Sequence, residues 1–241
     1  MNEWTIKPDV SVAPSARSPV PSLWLVAGLL VLHQLALTII HYGIGPAMGF
    51  APASAGLVAA TIVIAALLIL MAVAIDTRTP GRAAAILLPA PRWNARVAVT
   101  MLIGLGIAQI PLGILALQGA TVWQNGAGSD LEVGRALLAS LATSSGVVLL
   151  LATVLVAPAV EELLYRGYLI GALVDRVPAF VAVAVSALLF VTLHFEPANL
   201  VASLCLGLGA AFCAVRTRSI WPGLIVHVAS NSFGMWYATL G

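Results

Sequence analysis

The side chains of this chain that could do chemistry lie in otherwise apolar segments of its second half. They are acidic, basic or amide groups, namely Glu161, Glu162, Arg166, His194, His227 and Asn231. Carboxylates and imidazoles can take a proton from water, and imidazole and amide N–H groups can stabilise the oxyanion formed when water attacks a carbonyl. These residue types therefore predict hydrolysis of an amide or a related bond.

Three pairs of residues in this region share a spacing of four, which puts both members on the same face of a helix one turn apart. The pairs are Glu162 with Arg166, Phe190 with His194, and His227 with Asn231. Glu162 precedes Arg166 in the orientation that favours an ion pair, so we expect this pair to be structural. Glu161 points about 100° away around the helix, on the face of Tyr165, and is the better candidate base.

The composition identifies the elements that must position these side chains. Hydrophobic residues make up 61% of the 241 residues and charged residues only 8%, whereas soluble domains carry about 25% charged residues. A water-soluble fold is close to excluded, and uncharged runs of roughly 20 residues predict membrane-spanning helices. Such runs lie near residues 23–42, 55–75, 97–117, 136–160, 178–195, 198–215 and 220–240. We predict an all-α fold, a polytopic transmembrane helix bundle of about seven to eight spans with the active site among the last four.

One transmembrane helical domain is predicted over residues 22–241, with a motif-bearing core at 136–241. Residues 1–21 are rich in Pro and Ser and have no apolar period, so we expect a disordered tail. The net charge of +2 and the position of the basic residues in loops predict no nucleic-acid partner. Cys205 and Cys213 lie about 12 Å apart on one apolar helix, beyond disulfide reach, and are expected to be packing residues.

The distribution of basic residues predicts the topology. Arg78, Arg82, Arg92 and Arg96 crowd the segment between the second and third apolar runs, while the segment between the first and second runs has no Lys or Arg. The positive-inside rule then predicts a multi-pass protein of the cell membrane, with its N-terminus and the 76–96 loop in the cytoplasm.

Counting residues from the predicted turns places the histidines in depth. From a turn at 175–178, the counts back to Glu161 and forward to His194 are nearly equal, about 23 to 26 Å, so the two side chains would meet in an antiparallel hairpin. From the following turn, the same count brings Asn231 closer to that depth than His227.

At these residues the chain resembles the CAAX protease and bacteriocin-processing family, also called the Abi family. The marks of that family are Glu-Glu-x-x-x-Arg, Phe-x-x-x-His and His-x-x-x-Asn/Asp motifs on successive membrane helices. This sequence carries them in order, and the resemblance covers about residues 150–235. Tyr165 stands where Phe is common before the Arg, which is a mild departure.

The resemblance implies an intramembrane endopeptidase. Eukaryotic members trim the last three residues from prenylated proteins, and prokaryotic members are tied to peptide maturation, bacteriocin immunity and regulated proteolysis. The implied catalytic residues, two that activate water and two that stabilise the oxyanion, are Glu161 with His194 and His227 with Asn231. The implied supporting residues are Glu162, Arg166, Tyr165 and Phe190. The partners would be the lipid bilayer and a peptide or protein substrate, whether lipid-modified or membrane-inserted.

Other interpretations stay open. No cofactor is expected, yet two histidines and a carboxylate could form a zinc site; the lack of a His-Glu-x-x-His helix and the poor ligand quality of Asn disfavour the metal. A catalytically silent scaffold or immunity protein could bind a peptide with the same polar cluster. A proton-coupled transporter is disfavoured because the charges lie in one half only. In the first half, His33, Gln34 and Gln109 are expected merely to hydrogen-bond neighbouring helices.

Overall fold

The computed structural model describes residues 19–119, 139, 142–192 and 200–238, so most of the predicted tail lies outside the described residues. Every regular element in this part of the chain is a helix, which confirms the all-α class. In chain order the helices are α1 (Leu23–Ala47), α2 (Ala55–Asp76), α3 (Arg82–Ala85), α4 (Ala95–Ala108), α5 (Ile110–Leu117), α6 (Ser144–Leu173), α7 (Ala179–Val191), α8 (Leu200–Thr217) and α9 (Ile220–Ala238).

Several of these helices have the length and composition of membrane spans. α1, α2, α6 and α8 each suffice to cross a bilayer, and α4 with α5, which meet at Gln109 with a bend of 48°, would together make a fifth span. α7 has 13 residues, fewer than the roughly 20 of a full crossing. The all-helical membrane bundle is thus confirmed, while the count of seven to eight spans stays a prediction.

α6 is longer than the apolar run that predicts it. The run at 136–160 stops short of the glutamates, whereas α6 continues through them to Leu173. Glu162 and Arg166 pair within this helix at 3.0 Å, so neither charge is buried without a partner. A π-helical stretch directly before Pro158 lets the helix pass a residue that has no N–H donor.

Small residues let α8 approach its neighbouring helices closely. α8 packs against α4, α7 and α9. A Cβ atom added at Gly104 of α4 would lie 2.5 Å from Sγ of Cys213 and 2.9 Å from the carbonyl oxygen of Gly209, both on α8. At Gly207 an added Cβ would lie 3.1 Å from Cα of Ala187 on α7. Backbone contact of this kind is the usual basis of helix association in membranes, where apolar side chains gain little by leaving lipid.

The loop between α2 and α4 lies at the same end of the bundle as the start of α1 and the turns after α6 and α8. Arg82 in this loop pairs with Asp76 at 2.9 Å and also donates to the carbonyl of Pro19. Across the two turns, Arg218 pairs with Asp175 at 2.9 Å. Arg82 and Arg218 therefore lie at the same end of the bundle, and the cytoplasmic location of that end stays a prediction.

Candidate active site

Glu162 of α6 is the buried centre of the polar cluster. Its Oε1 atom lies 3.0 Å from Nη1 of Arg166 and 2.9 Å from Nδ1 of His227, and all three side chains are buried. Because a carboxylate can only accept hydrogen bonds, Nδ1 of the imidazole is the donor. The ion pair with Arg166 is the one that the four-residue spacing predicts, and the second bond joins α6 to α9.

Arg166 contacts residues of three different helices. Besides its bond to Glu162, Nη2 donates to the carbonyl oxygen of Gly207 on α8 at 3.1 Å. Its guanidinium carbon also lies 4.5 Å from the ring centroid of Phe190 on α7. A cation over an aromatic face is attracted to it, and more so where water is excluded. The arginine therefore fixes the positions of α6, α7 and α8 around the glutamate.

Phe190 and Tyr165 form an aromatic wall beside the cluster. Their rings meet edge to face at 5.4 Å, and the Phe190 ring packs edge to face on the His227 imidazole at 5.7 Å. The backbone carbonyl of Tyr165 accepts a hydrogen bond from the Ser186 hydroxyl at 3.0 Å. A single serine in an apolar run carries no distinguishing pattern, so the sequence does not predict this hydrogen bond.

Glu161 faces the second nitrogen of the same imidazole. Its Oε2 atom lies 3.6 Å from Nε2 of His227, an ion-pair distance that is too long for a hydrogen bond. The side chain of Glu161 is 13% exposed, whereas that of Glu162 is fully buried. With His227 protonated, the two carboxylates, the imidazolium and Arg166 carry no net charge, which suits a low-dielectric site. Glu161 is thus the carboxylate that a reactant can reach.

The predicted depths of the residues on α9 are wrong. His227, rather than Asn231, lies level with the glutamates. The prediction is wrong because counting residues assumes straight helices that meet along their whole length. Gly223, one turn before the histidine, lets α9 approach α6 closely: an added Cβ would lie 2.8 Å from Oε2 of Glu162. Asn231 is half-buried one turn further along the same face.

His194 lies outside the described residues, since α7 is followed to Thr192 and the chain is described again from Leu200. The predicted meeting of Glu161 with His194 therefore stays a prediction, as does the zinc site that would need both histidines. Within the described ranges, no three His, Cys, Asp or Glu side chains are grouped closely enough to hold a metal ion.

Gln109 extends the polar surface next to the cluster. It lies at the bend between α4 and α5, and its Nε2 donates to Oγ of Ser230, the residue before Asn231, at 2.9 Å. Its Oε1 is buried and, among the described residues, has no hydrogen-bond partner. The expectation that this glutamine bonds to a neighbouring helix is confirmed.

Comparison with known proteins finds matches in the same region of the chain. Residues 143–233, which contain all three motifs, match the family model described as "Type II CAAX prenyl endopeptidase Rce1-like". The chain is also similar to "Putative membrane peptidase YdiL" of Bacillus subtilis (strain 168), with 30% identity over 79 residues, which are 33% of this chain and 32% of that protein. The match thus spans about a third of the length of this curated relative. No solved structure matches the chain. These matches confirm the family resemblance of the motif region.

Proposed function

We propose that this multi-pass membrane protein is a peptidase that hydrolyses a peptide bond without a metal ion. The match of residues 143–233 to the family model of CAAX prenyl endopeptidases supports the proposal. The observation that carries the proposal is the His227 imidazole between two carboxylates, with Nδ1 2.9 Å from Glu162 and Nε2 3.6 Å from Glu161. Glu162 holds the ring through Nδ1, which leaves Nε2 on the side of the accessible carboxylate.

In the proposed reaction Glu161 takes a proton from water, and the water oxygen bonds to the carbonyl carbon of the substrate. The carbonyl oxygen becomes negative and accepts hydrogen bonds from Nε2–H of His227 and the amide of Asn231. When the C–N bond breaks, Glu161 returns the proton to the leaving amine. His194 is proposed to help Glu161 hold the water, as the family motif implies.

The proposed substrate is a peptide or protein that reaches the site within the bilayer. The family description refers to prenylated substrates, whereas the name of the Bacillus subtilis relative specifies only a membrane peptidase. A lipid-modified C-terminal peptide and a plain transmembrane peptide are therefore both candidate substrates, and both belong in the assay.

The test is cleavage by the purified full-length chain in detergent or nanodiscs, with both peptide classes supplied and products identified by mass spectrometry. Glu161→Gln should lower the rate by about 10²- to 10⁴-fold, the usual contribution of a general base. Asp175→Asn is the matched control, because this carboxylate is exposed in a turn and should leave the rate unchanged. Cleavage that persists in Glu161→Gln would rule out this site.

Two further outcomes would redirect the proposal. Loss of cleavage on chelation, with recovery on added zinc, would make the protein a zinc-dependent hydrolase that uses His194 as a ligand. Peptide binding without cleavage by the wild type, lost in Glu161→Gln, would make it a catalytically silent scaffold or immunity protein. The N-terminal location on the cytoplasmic side, which we also propose, can be tested separately with an accessibility tag.

A further inference from the structure

The connection between α2 and α4 enters the bundle beside the proposed site. Residues 82–90, here called the α3 segment, include Ile86, whose side chain is fully buried. Two glycines of α6 make room for this segment. A Cβ atom added at Gly171 would overlap the carbonyl group of Ala85, and one added at Gly167 would lie 3.0 Å from the carbonyl oxygen of Ile86. The α3 segment therefore packs directly on the part of α6 that carries the buried charges.

The α3 helix ends in a turn that glycine usually forms. Leu87 has a φ of 57°, in the left-handed region that most L-residues avoid. The N–H groups of Leu87 and Leu88 donate to the carbonyls of Ala84 and Ala83, respectively, which is the hydrogen-bond pattern of a Schellman motif. The side chain of Leu87 is buried in the hydrophobic core. After this turn, the carbonyl groups of residues 87–89 can accept hydrogen bonds from another element.

The start of α9 donates to all three of these carbonyls. The N–H of Ile220, the Ser219 hydroxyl and the Trp221 indole N–H bond to the carbonyl oxygens of residues 87, 89 and 88, at 2.9, 2.8 and 2.7 Å, respectively. The first N–H groups of a helix have no partner within that helix. The α3 segment thus binds one backbone donor and two side-chain donors at the beginning of α9.

The attachment of this end of α9 bears on the orientation of His227. His227 lies seven residues after Ile220, about two turns, so the two side chains leave α9 on nearly the same side. Both are buried. The distance of 3.6 Å between Nε2 of His227 and Oε2 of Glu161 is longer than a hydrogen bond. A small rotation or shift of α9 would therefore change the relation between the imidazole and the accessible carboxylate.

We propose that Ser219 and Trp221 are positioning residues for His227: they attach the start of α9 to the α3 segment and so hold the imidazole between the two glutamates. The proposal rests on the proposed function. It also gives the α3 segment, which lies outside the region that matches the family model, a part in shaping the site.

The effect on the imidazole can be measured without an assay of activity. The histidine rings of the full-length protein are labelled with ¹⁵N, and the His227 resonances are identified by their loss in His227→Gln. The double variant Ser219→Ala/Trp221→Phe removes both side-chain donors and should change the ring shifts of His227. The double variant Ser232→Ala/Trp236→Phe removes the same groups from exposed positions of the same helix and should leave those shifts unaltered. Unchanged His227 shifts in Ser219→Ala/Trp221→Phe would overturn the proposal.

Kinetics separate positioning from support of the fold. Ser219→Ala/Trp221→Phe should lower kcat by about tenfold to a hundredfold, since a misplacement of about 1 Å can cost about 10²-fold, while KM stays unchanged. Ser232→Ala/Trp236→Phe should match the wild type. If Ser219→Ala/Trp221→Phe fails to fold, Ser219→Ala, which loses one bond, takes its place in both measurements with a smaller expected loss.

A stability loss in SDS with kcat within about twofold of the wild type would show that these bonds support only the fold, and would overturn the proposal. A wild type that cleaves no peptide would instead overturn the proposed function. The ring shifts would then still show whether the attachment of α9 sets the position of the imidazole.

Discussion

α2 is more hydrophobic than the Glu162–Leu169 segment of α6, yet it is the less buried of the two. α2 is a run of apolar residues, yet only seven of its 22 residues are buried, and Leu67, Leu70 and Met71 are broadly exposed. All eight residues of the α6 segment are buried, although they include an acid and a base. In a water-soluble protein the order would be reversed.

The difference shows what drives burial in this molecule. Apolar side chains on α2 gain little by leaving lipid, so hydrophobicity alone does not bring a helix into the centre. The α6 segment is central because its polar groups have partners only there: Arg166 and His227 for Glu162, and the Gly207 carbonyl for Arg166. Pairing of charges and close backbone contact therefore organise the bundle.

The largest effect is expected from removing a charge inside the cluster. Arg166→Met keeps the volume of the side chain but leaves Glu162 as a buried carboxylate with only His227, and should destabilise the fold by about 3 to 5 kcal/mol. Arg218→Met breaks the exposed pair with Asp175 and should cost less than about 1 kcal/mol. Titration from mild detergent into SDS, followed by circular dichroism, measures both. Equal losses would contradict the idea that buried pairing organises the bundle.

A second pair of variants compares the two segments directly. Leu164 in the α6 segment is fully buried and Leu67 on α2 is 60% exposed. Leu164→Ala should cost about 2 kcal/mol, the low end for a buried leucine, because a separated helix would keep this side chain in lipid. Leu67→Ala should stay within about 0.5 kcal/mol of the wild type. The same SDS titration decides, and a larger loss at Leu67 would reverse the comparison.

The close approach of α9 can be probed with one methyl group. Gly223→Ala places Cβ 2.8 Å from Oε2 of Glu162 and 3.0 Å from the Ala210 carbonyl, and such overpacking should cost about 1 to 3 kcal/mol. Gly234→Ala is the control on the same helix, with no atom within 4 Å of the added Cβ. That variant should match or exceed wild-type stability, by up to about 1 kcal/mol, because alanine favours a helix. Equal stability of the two alanine variants would show that α9 does not pack closely against Glu162.

The smallest effect is expected where α2 touches the α6 segment. The Tyr168 hydroxyl donates to Oδ2 of Asp76 at 2.8 Å. Tyr168→Phe should cost about 1 kcal/mol, since the Asp76 carboxylate keeps Arg82 and stays partly accessible. SDS titration of Tyr168→Phe and of Arg82→Met would show whether the Arg82–Asp76 ion pair contributes to the free energy of unfolding in addition to the hydrogen bond. Unchanged stability of Tyr168→Phe would show that this hydrogen bond does not hold the end of α2 against α6.

The features that the sequence predicts well are local ones. The all-α membrane fold follows from composition, and the Glu162–Arg166 pair follows from a spacing of four on one helix. The depth of His227 relative to the glutamates could not be predicted by counting residues, since it depends on how closely α9 packs against α6 at Gly223. The inner side of α1, which carries Val26, Leu29, His33 and Ala36, could not be predicted either, because both faces of this helix are apolar and the pattern does not reveal which one faces the protein. Amphipathic periodicity arises where one face of a helix meets water, and a helix with the composition of a membrane span lacks that signal.

The bond between Glu162 and His227 also has a consequence for synthesis of the chain. The two residues are 65 positions apart, which a ribosome covers in about 3 to 13 seconds at 5 to 20 residues per second. During that interval the nascent bundle holds both glutamates but no imidazole from α9. The proposed active site is therefore incomplete until α9 docks against α6, and it forms only after the last of the described helices has been synthesised.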